Sequence, residues 1–274
     1  MKVLTKHFVL LFASCFLLNT HPLAEEINWE RGPKTQNILN VATIFLPEDF
    51  VALGIKETDK YLKLSENRPT GSDNYFGPNT DLWDGYFSFD KVGYVKDDDD
   101  IDADELLNTM KNGMEASNKY RREKGWTTMT LLGWEYPPKY DRNSKRLGWA
   151  FLFLVDDSNT KVVNYETRIL GRNGVMQVLL VASPENLSVA VNELNNSLSS
   201  FKFNPGEQYS EYKKGDRIAE FGLAALIAGG AAAVASKKGL WAALVALLVG
   251  AKKIAFALII GLFAGIASLF RKKK

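Results

Sequence analysis

Apolar residues recur along the chain in two periods, and the changes of period divide it into elements. Residues 147–155 (LGWAFLFLV) and 175–182 (VMQVLLVA) are nearly continuous apolar runs bounded by turn residues, as in buried strands. Residues 161–170 form a further strand, joined to the first run as a hairpin by the turn residues at 156–159 (DDSN). Residues 171–174 (GRNG), with glycine at both ends, turn the chain again. Upstream, the β-rich stretch 38–46 (ILNVATIFL) stops at Pro47 and predicts a first strand, and 48–54 predicts a turn with a short helix. Residues 65–78 hold two prolines, two glycines and two asparagines and predict a loop. Residues 83–95 predict a hairpin about Asp90 and Lys91, and 127–134 a strand ended by Pro137 and Pro138. The period becomes helical where Leu106, Leu107, Met110 and Met114 recur between a capping Asp102 and Gly125. A last helix, 185–198, follows Ser183 and Pro184. Hairpin-joined strands with segregated helices define an α+β fold, a mainly antiparallel sheet flanked by helices.

Both ends of the chain break this pattern. Lys2 and Lys6 precede an apolar run at 8–18 (FVLLFASCFLL), and Ala24 offers a cleavage point, so residues 1–24 are expected to be a secretory signal. The rival is a lipoprotein site at Cys15, which has only a short apolar lead and apolar residues beyond it. At the other end two apolar segments, 219–236 and 240–270, are followed by a basic tail, 271–274. A helix needs about 20 apolar residues to cross a bilayer, and 254–270 nearly meets this before Arg271, Lys272, Lys273 and Lys274 hold it by the positive-inside bias. The expected order is signal 1–24, exported α+β domain 25–205, connector 206–218 and membrane anchor 219–270. The main domain would lie on the periplasmic side of a bacterial inner membrane. One crossing or more satisfies the basic residues equally. Gly261 and Gly265 frame a small-xxx-small pattern through which the anchor would self-associate, the alternative being glycine merely tolerated in a membrane helix.

Charge sharpens this division. The formal net charge of +2 hides a polarised chain: without the signal lysines and the eleven basic residues from Lys213 onward, 21 basic residues face 30 acidic ones. An acidic domain offers no cationic face to phosphates, so nucleic acid is not an expected partner; a lipid bilayer and an envelope protein are. His7, His21 and Cys15 all fall in the signal segment, so the domain has neither imidazole nor thiol. That removes most nucleophilic, acid–base and zinc chemistry, and no G-x-S-x-G, P-loop or dinucleotide fingerprint appears. No cofactor is expected.

Three clusters carry candidate chemistry. Asp97, Asp98, Asp99, Asp100 and Asp102 would bind a hard cation such as Ca²⁺ if their carboxylates converged. They lack EF-hand spacing, and negative charge equally belongs at a helix start. Residues 134–141 (WEYPPKYD) place Trp134, Tyr140 and Asp141 around two prolines, a stacking surface for a peptide or sugar, or a strand end with a core tryptophan. Asn164, Glu166 and Arg168 share one face of a strand by alternation, which predicts a polar groove or a solvent side. Arg172 between glycines would present a guanidinium to a carboxylate or phosphate, or pair internally with Asp141. Glu135 and Asp141 are the carboxylates a hydrolase would use.

Several of these segments together, 93–99 (GYVKDDD), 133–141 (GWEYPPKYD), 147–150 (LGWA), 164–174 (NYETRILGRNG) and the apolar tail after 212–216 (YKKGD), resemble the DUF2167 family of bacterial membrane-anchored proteins. The resemblance covers nearly the whole chain beyond the signal and implies anchoring and export but no activity. The element order is also similar to the Mog1/PsbP-like sandwich. The expected function is a non-enzymatic interaction module of the cell envelope, acting through the aromatic–proline segment and the Asn164, Arg168 and Arg172 face. A cation- or ligand-sensing domain and a carboxylate-dependent hydrolase are the alternatives.

Overall fold

The computed structural model describes residues 27–80, 82–98 and 100–228. The expected signal, Asp99 and most of the expected anchor lie outside them. Among the described residues no helix is long and apolar enough to cross a membrane.

Eight strands form one antiparallel sheet. In chain order they are β1 (Glu30–Arg31), β4 (Phe50–Leu53), β5 (Asn74–Pro78), β6 (Trp83–Asp90), β7 (Met129–Asp141), β8 (Arg146–Val155), β9 (Thr160–Leu170) and β10 (Val175–Ala182). Their spatial order is β1-β4-β5-β6-β10-β9-β8-β7. A second sheet joins β2 (Lys34–Ile38), β3 (Ala42–Leu46) and β11 (Lys202–Phe203) in the order β11-β3-β2. The helices are α1 (Ile55–Leu64), α2 (Ala103–Glu123), α3 (Leu187–Leu198) and the short α4 (Leu223–Ile227). The fold is therefore α+β with a large antiparallel sheet, as its hairpins and segregated helices predict.

Alternation along β10 decides what each face of the large sheet buries. Met176, Val178, Leu180 and Ala182 enter one core with Ile44 and Leu46 of the small sheet and Leu187, Ala190, Leu194 and Leu198 of α3. Each fully buried leucine there contributes roughly 1.5–3 kcal/mol. The opposite face is covered in two separate places. Leu62 of α1 closes a cluster with Val51, Leu53, Tyr75 and Tyr86. The half-buried stripe of α2 (Leu106, Leu107, Met110, Met114) covers Leu131, Leu147, Trp149 and Phe151. Among the described residues no helix lies over the sheet between these two.

Several local expectations give way. Residues 38–46 hold a hairpin rather than one strand. Leu39 and Asn40 both take positive φ (54° and 59°), Val41 N–H donates to the Ile38 carbonyl, and the Asn37 side chain accepts from Asn40 N–H, so β2 and β3 pair, Ile38 opposite Ala42, across the three-residue connection 39–41. Residues 50–53 are strand β4, and α1 follows where no helix was expected. Part of the expected 65–78 loop is β5, buried along its whole length between β4 and β6. Residues 83–95 are not a hairpin, because β6 pairs with β5 and β10. Strand β7 runs on through Pro137 and Pro138, which it can do as an edge strand whose register shifts three times.

Residues 206–218, expected to be a connector, lie against the domain. Gly171 pairs with Gln208 and Tyr94 with Ile218, while the Arg172 guanidinium grips Asp216 by two bonds of 2.7 and 2.8 Å. Gly93 (φ +96°) permits this close approach, since a Cβ there would lie 2.6 Å from the Arg217 carbonyl oxygen. The strap continues into Leu223, Leu226 and Ile227 of α4, which are buried with the α2 core. The first residues of the expected anchor segment 219–236 thus belong to the domain's packing, and 229–236 lie outside the described residues.

Candidate functional site

The uncovered strip of sheet between α1 and α2 is a groove, and strand register assembles its floor. Arg168, Gln177 and Ser88 lie in one cross-strand row; Glu166, Leu179 and Tyr86 form the next; Asn164, Val181 and Asp84 form the third. The polar stripe predicted on β9 therefore meets a polar or aromatic residue of β6 in every row. Two cavities, about 360 and 460 Å³, occupy the groove and share Thr70, Asp73, Tyr86 and Leu179 as lining. Arg68, beyond α1, places its guanidinium 5.0 Å from the Tyr120 ring of α2, linking the two walls. On the α1 side, Asp59 accepts from the backbone N–H of Thr70 and Gly71, both at 3.1 Å, and fixes the loop that carries Asp73.

Arg168 is only 7% exposed and needs compensation for its charge. It has three partners: an ion pair with Glu166, the Thr167 carbonyl at 3.4 Å and the Trp149 ring, 4.8 Å from the guanidinium carbon. Gln177 donates to Asp90. Burial pushes the Asp73 carboxyl above its ordinary pKa, with the Asp59 charge adding to the effect and hydrogen bonds from Thr70, Ser88 and Ser72 opposing it. The tyrosines beside the groove are treated unequally. Tyr61 and Tyr75 both donate to Asp84 (3.2 and 2.7 Å). Tyr86, 5.6 Å from Tyr75 between ring centroids and 8% exposed, makes no hydrogen bond through its hydroxyl to any described residue. Burial, then the nearby Asp84 charge, raises its pKa and keeps it protonated.

The other expected site residues are dispersed. Trp134 stacks on Phe151 (4.4 Å, 16° between planes) and donates to the Ala103 carbonyl, seating the start of α2. Tyr136, Pro137, Pro138 and Asp141 line a separate cavity of about 620 Å³ with Arg146 and Tyr165. Tyr140 turns away to donate to Asp97 at 2.9 Å. Both Asp141 oxygens are used in the β7–β8 turn, by Asn143 N–H and the Ser144 hydroxyl, and Arg172 takes Asp216 as its partner. Arg172 does not join Asn164 and Arg168, because β9 ends at Leu170 and the face ends with it.

The acidic run also separates. Burial alone would raise the Asp97 pKa, but hydrogen bonds from Lys145 (2.8 Å) and Tyr140 hold it below its ordinary value. Asp102 caps α2, accepting from the backbone of Asp104 and Glu105. Asp98 and Asp100 are exposed. Among the described residues no three carboxylate or imidazole side chains gather closely enough to hold a metal ion. A further cavity of about 1010 Å³ near the strap contains Tyr94 stacked on Tyr209 and Lys145 over the Tyr209 ring. There the ammonium already serves Asp97, and the Tyr209 hydroxyl donates to the Val95 carbonyl.

Fold and site define an α+β domain with a polar groove floored by its sheet. The chain belongs to the family described as protein of unknown function DUF2167, whose model matches residues 30–263. Among solved structures it is similar to the solution structure of cyanobacterial PsbP (CyanoP) from Synechocystis sp. PCC 6803. That match has 11% identity and a TM-score of 0.37, covering 68% of this chain and 99% of that one. No curated protein matches.

Proposed function

We propose that this chain is a non-enzymatic interaction module of the bacterial cell envelope, exported and held at the inner membrane by its C-terminal apolar segments. The groove between α1 and α2 is its binding surface. The observation that carries this reading is the polar floor: Arg168, Glu166, Asn164 and Gln177 lie on a sheet face that is otherwise packed beneath helices. Core packing alone is better served by apolar residues, since a buried ion pair seldom adds stability over hydrophobic packing of the same volume. The aromatic–proline segment is a weaker candidate, because Trp134 and Tyr140 are committed to internal contacts.

The test is photo-crosslinking in intact cells, with a benzophenone side chain placed at Asn164 or Leu179 in the groove, or at the exposed Val189 on α3. Spheroplasts are then treated with protease to report the side on which the domain lies. A discrete adduct from the two groove positions and none from Val189, on a domain cleaved from outside, is the expected result. Equal adducts from all three positions, or a domain protected from protease, would remove the proposal.

A further inference from the structure

We propose that the groove is a receptor for a lysine or arginine side chain of an extended peptide that carries an apolar residue beside it. The inference rests on reading the groove as the binding surface and adds the chemistry of what it holds.

The smaller cavity is lined by three carboxylates, Asp73, Asp90 and Glu166, against one guanidinium, Arg168. Arg168 is already consumed by Glu166 below it and by the Trp149 ring, so it offers little to an anion from outside. A carboxylate-rich recess with its only cation internally paired is complementary to a positive charge. Independent of this acidity is Tyr86. It is more than nine-tenths buried, lines both cavities and leaves its hydroxyl without a hydrogen bond to any described residue, although two neighbouring tyrosines donate to Asp84. With no described donor or acceptor against it, the hydroxyl oxygen opens on the cavities and can accept from a group that enters. An ammonium or guanidinium entering beside Asp73 donates one N–H to the carboxylate and another to the Tyr86 oxygen.

The shape selects an organic cation on a chain. No three acidic side chains among the described residues gather as a metal ion requires, whereas two or three separate acceptors suit the N–H groups of a side chain. The adjoining cavity shares Tyr86 and Asp73 as wall; Leu62, Met129, Val155 and Val181 give it an apolar side that a free amine would leave empty, and Arg68 and Arg121 also line it, their guanidiniums set against the Tyr120 and Trp126 rings. A peptide with a basic residue next to an apolar one fills both.

The test uses the full chain in nanodiscs and fluorescence anisotropy with a labelled pentapeptide, Ala-Leu-Lys-Val-Ala amide. Norleucine or glutamate replaces the lysine in two companion peptides. The lysine peptide is expected to bind at least about tenfold more tightly than either, the effect of one charge-assisted hydrogen bond. Tyr86→Phe and Asp73→Asn, each checked for an unchanged near-UV spectrum, should each weaken it by about the same factor. If Tyr86→Phe does not fold, Asp73→Asn decides alone. Equal binding of the lysine and norleucine peptides, no binding at millimolar peptide, or full affinity in a folded variant overturns the proposal. Competition by free butylamine as strong as by unlabelled peptide overturns the peptide assignment. Groove-specific crosslinks in cells together with no lysine preference in vitro would remove this inference and leave the interaction-module reading standing.

Discussion

Cutting the chain after Ile218 removes residues that, by position, belong to the expected membrane anchor, yet Leu223, Leu226 and Ile227 are only 1%, 3% and 3% exposed within the domain. Full burial of such side chains is worth roughly 1.5–3 kcal/mol each, or about 4–9 kcal/mol for the three, an upper figure because an unfolded chain is already partly collapsed. That is a large part of the ~5–15 kcal/mol that holds a typical domain together. At about 2–4 °C per kcal/mol for a domain of this size, residues 27–218 should melt at least roughly 10 °C below residues 27–228, or lose cooperative unfolding altogether. The measurement is circular dichroism against temperature on both fragments in the same buffer. Leu226→Ala in the longer fragment is an independent check, expected to cost about 2–5 kcal/mol in urea unfolding. Melting of the two fragments within about 3 °C of each other would refute the reasoning, because α4 would then cover nothing that the core requires.

Two further outcomes follow from contacts already described. Asp102→Ala removes the cap accepted from Asp104 and Glu105 and should cost about 1 kcal/mol by urea unfolding, equally with and without millimolar calcium; a loss seen only in calcium would mark a metal ligand instead of a cap. The Asp216 carboxyl is lowered from 3.8 to about 2, first by Arg172 and then by Lys213 N–H. Because its folded pKa lies below its unfolded one, its contribution is complete above about pH 4 and lost as pH falls towards 2. Asp216→Asn should flatten that part of the stability curve, and an unchanged acid slope would show that the pair contributes nothing.

The legible parts of the fold were those where one period runs long enough to dominate. Strands β8 to β10 and helices α2 and α3 lie close to where their patterns place them, and α2 begins and ends at its Asp102 and Gly125 signals. The first third of the domain was less readable for physical reasons. The turn at Leu39 and Asn40 puts a leucine at positive φ inside what looks like one apolar strand. Helix α1 buries only Thr58 and Leu62, leaving almost no stripe to detect. Strand β5 holds a proline and a glycine because its two neighbours, not its own propensity, make it a strand. The site divides in the same way. The Asn164, Glu166 and Arg168 stripe follows from alternation alone, and Gln177 is a lone polar residue in an apolar run, a signal that could have been used. Tyr86 and Asp73 join them only through cross-strand register and a loop, which local pattern does not encode.

The two borders of the large sheet bear on how copies of this domain meet. One border is β1, two residues long; the other is β7, with adjacent prolines and three breaks in register. Each is a poor template for a foreign strand: the first is too short to propagate a ladder, and the second lacks N–H groups at its prolines and bends away from regular pairing. Such borders guard against runaway strand exchange between copies. Pairing between copies is thereby steered away from the sheet edges, towards side-chain surfaces.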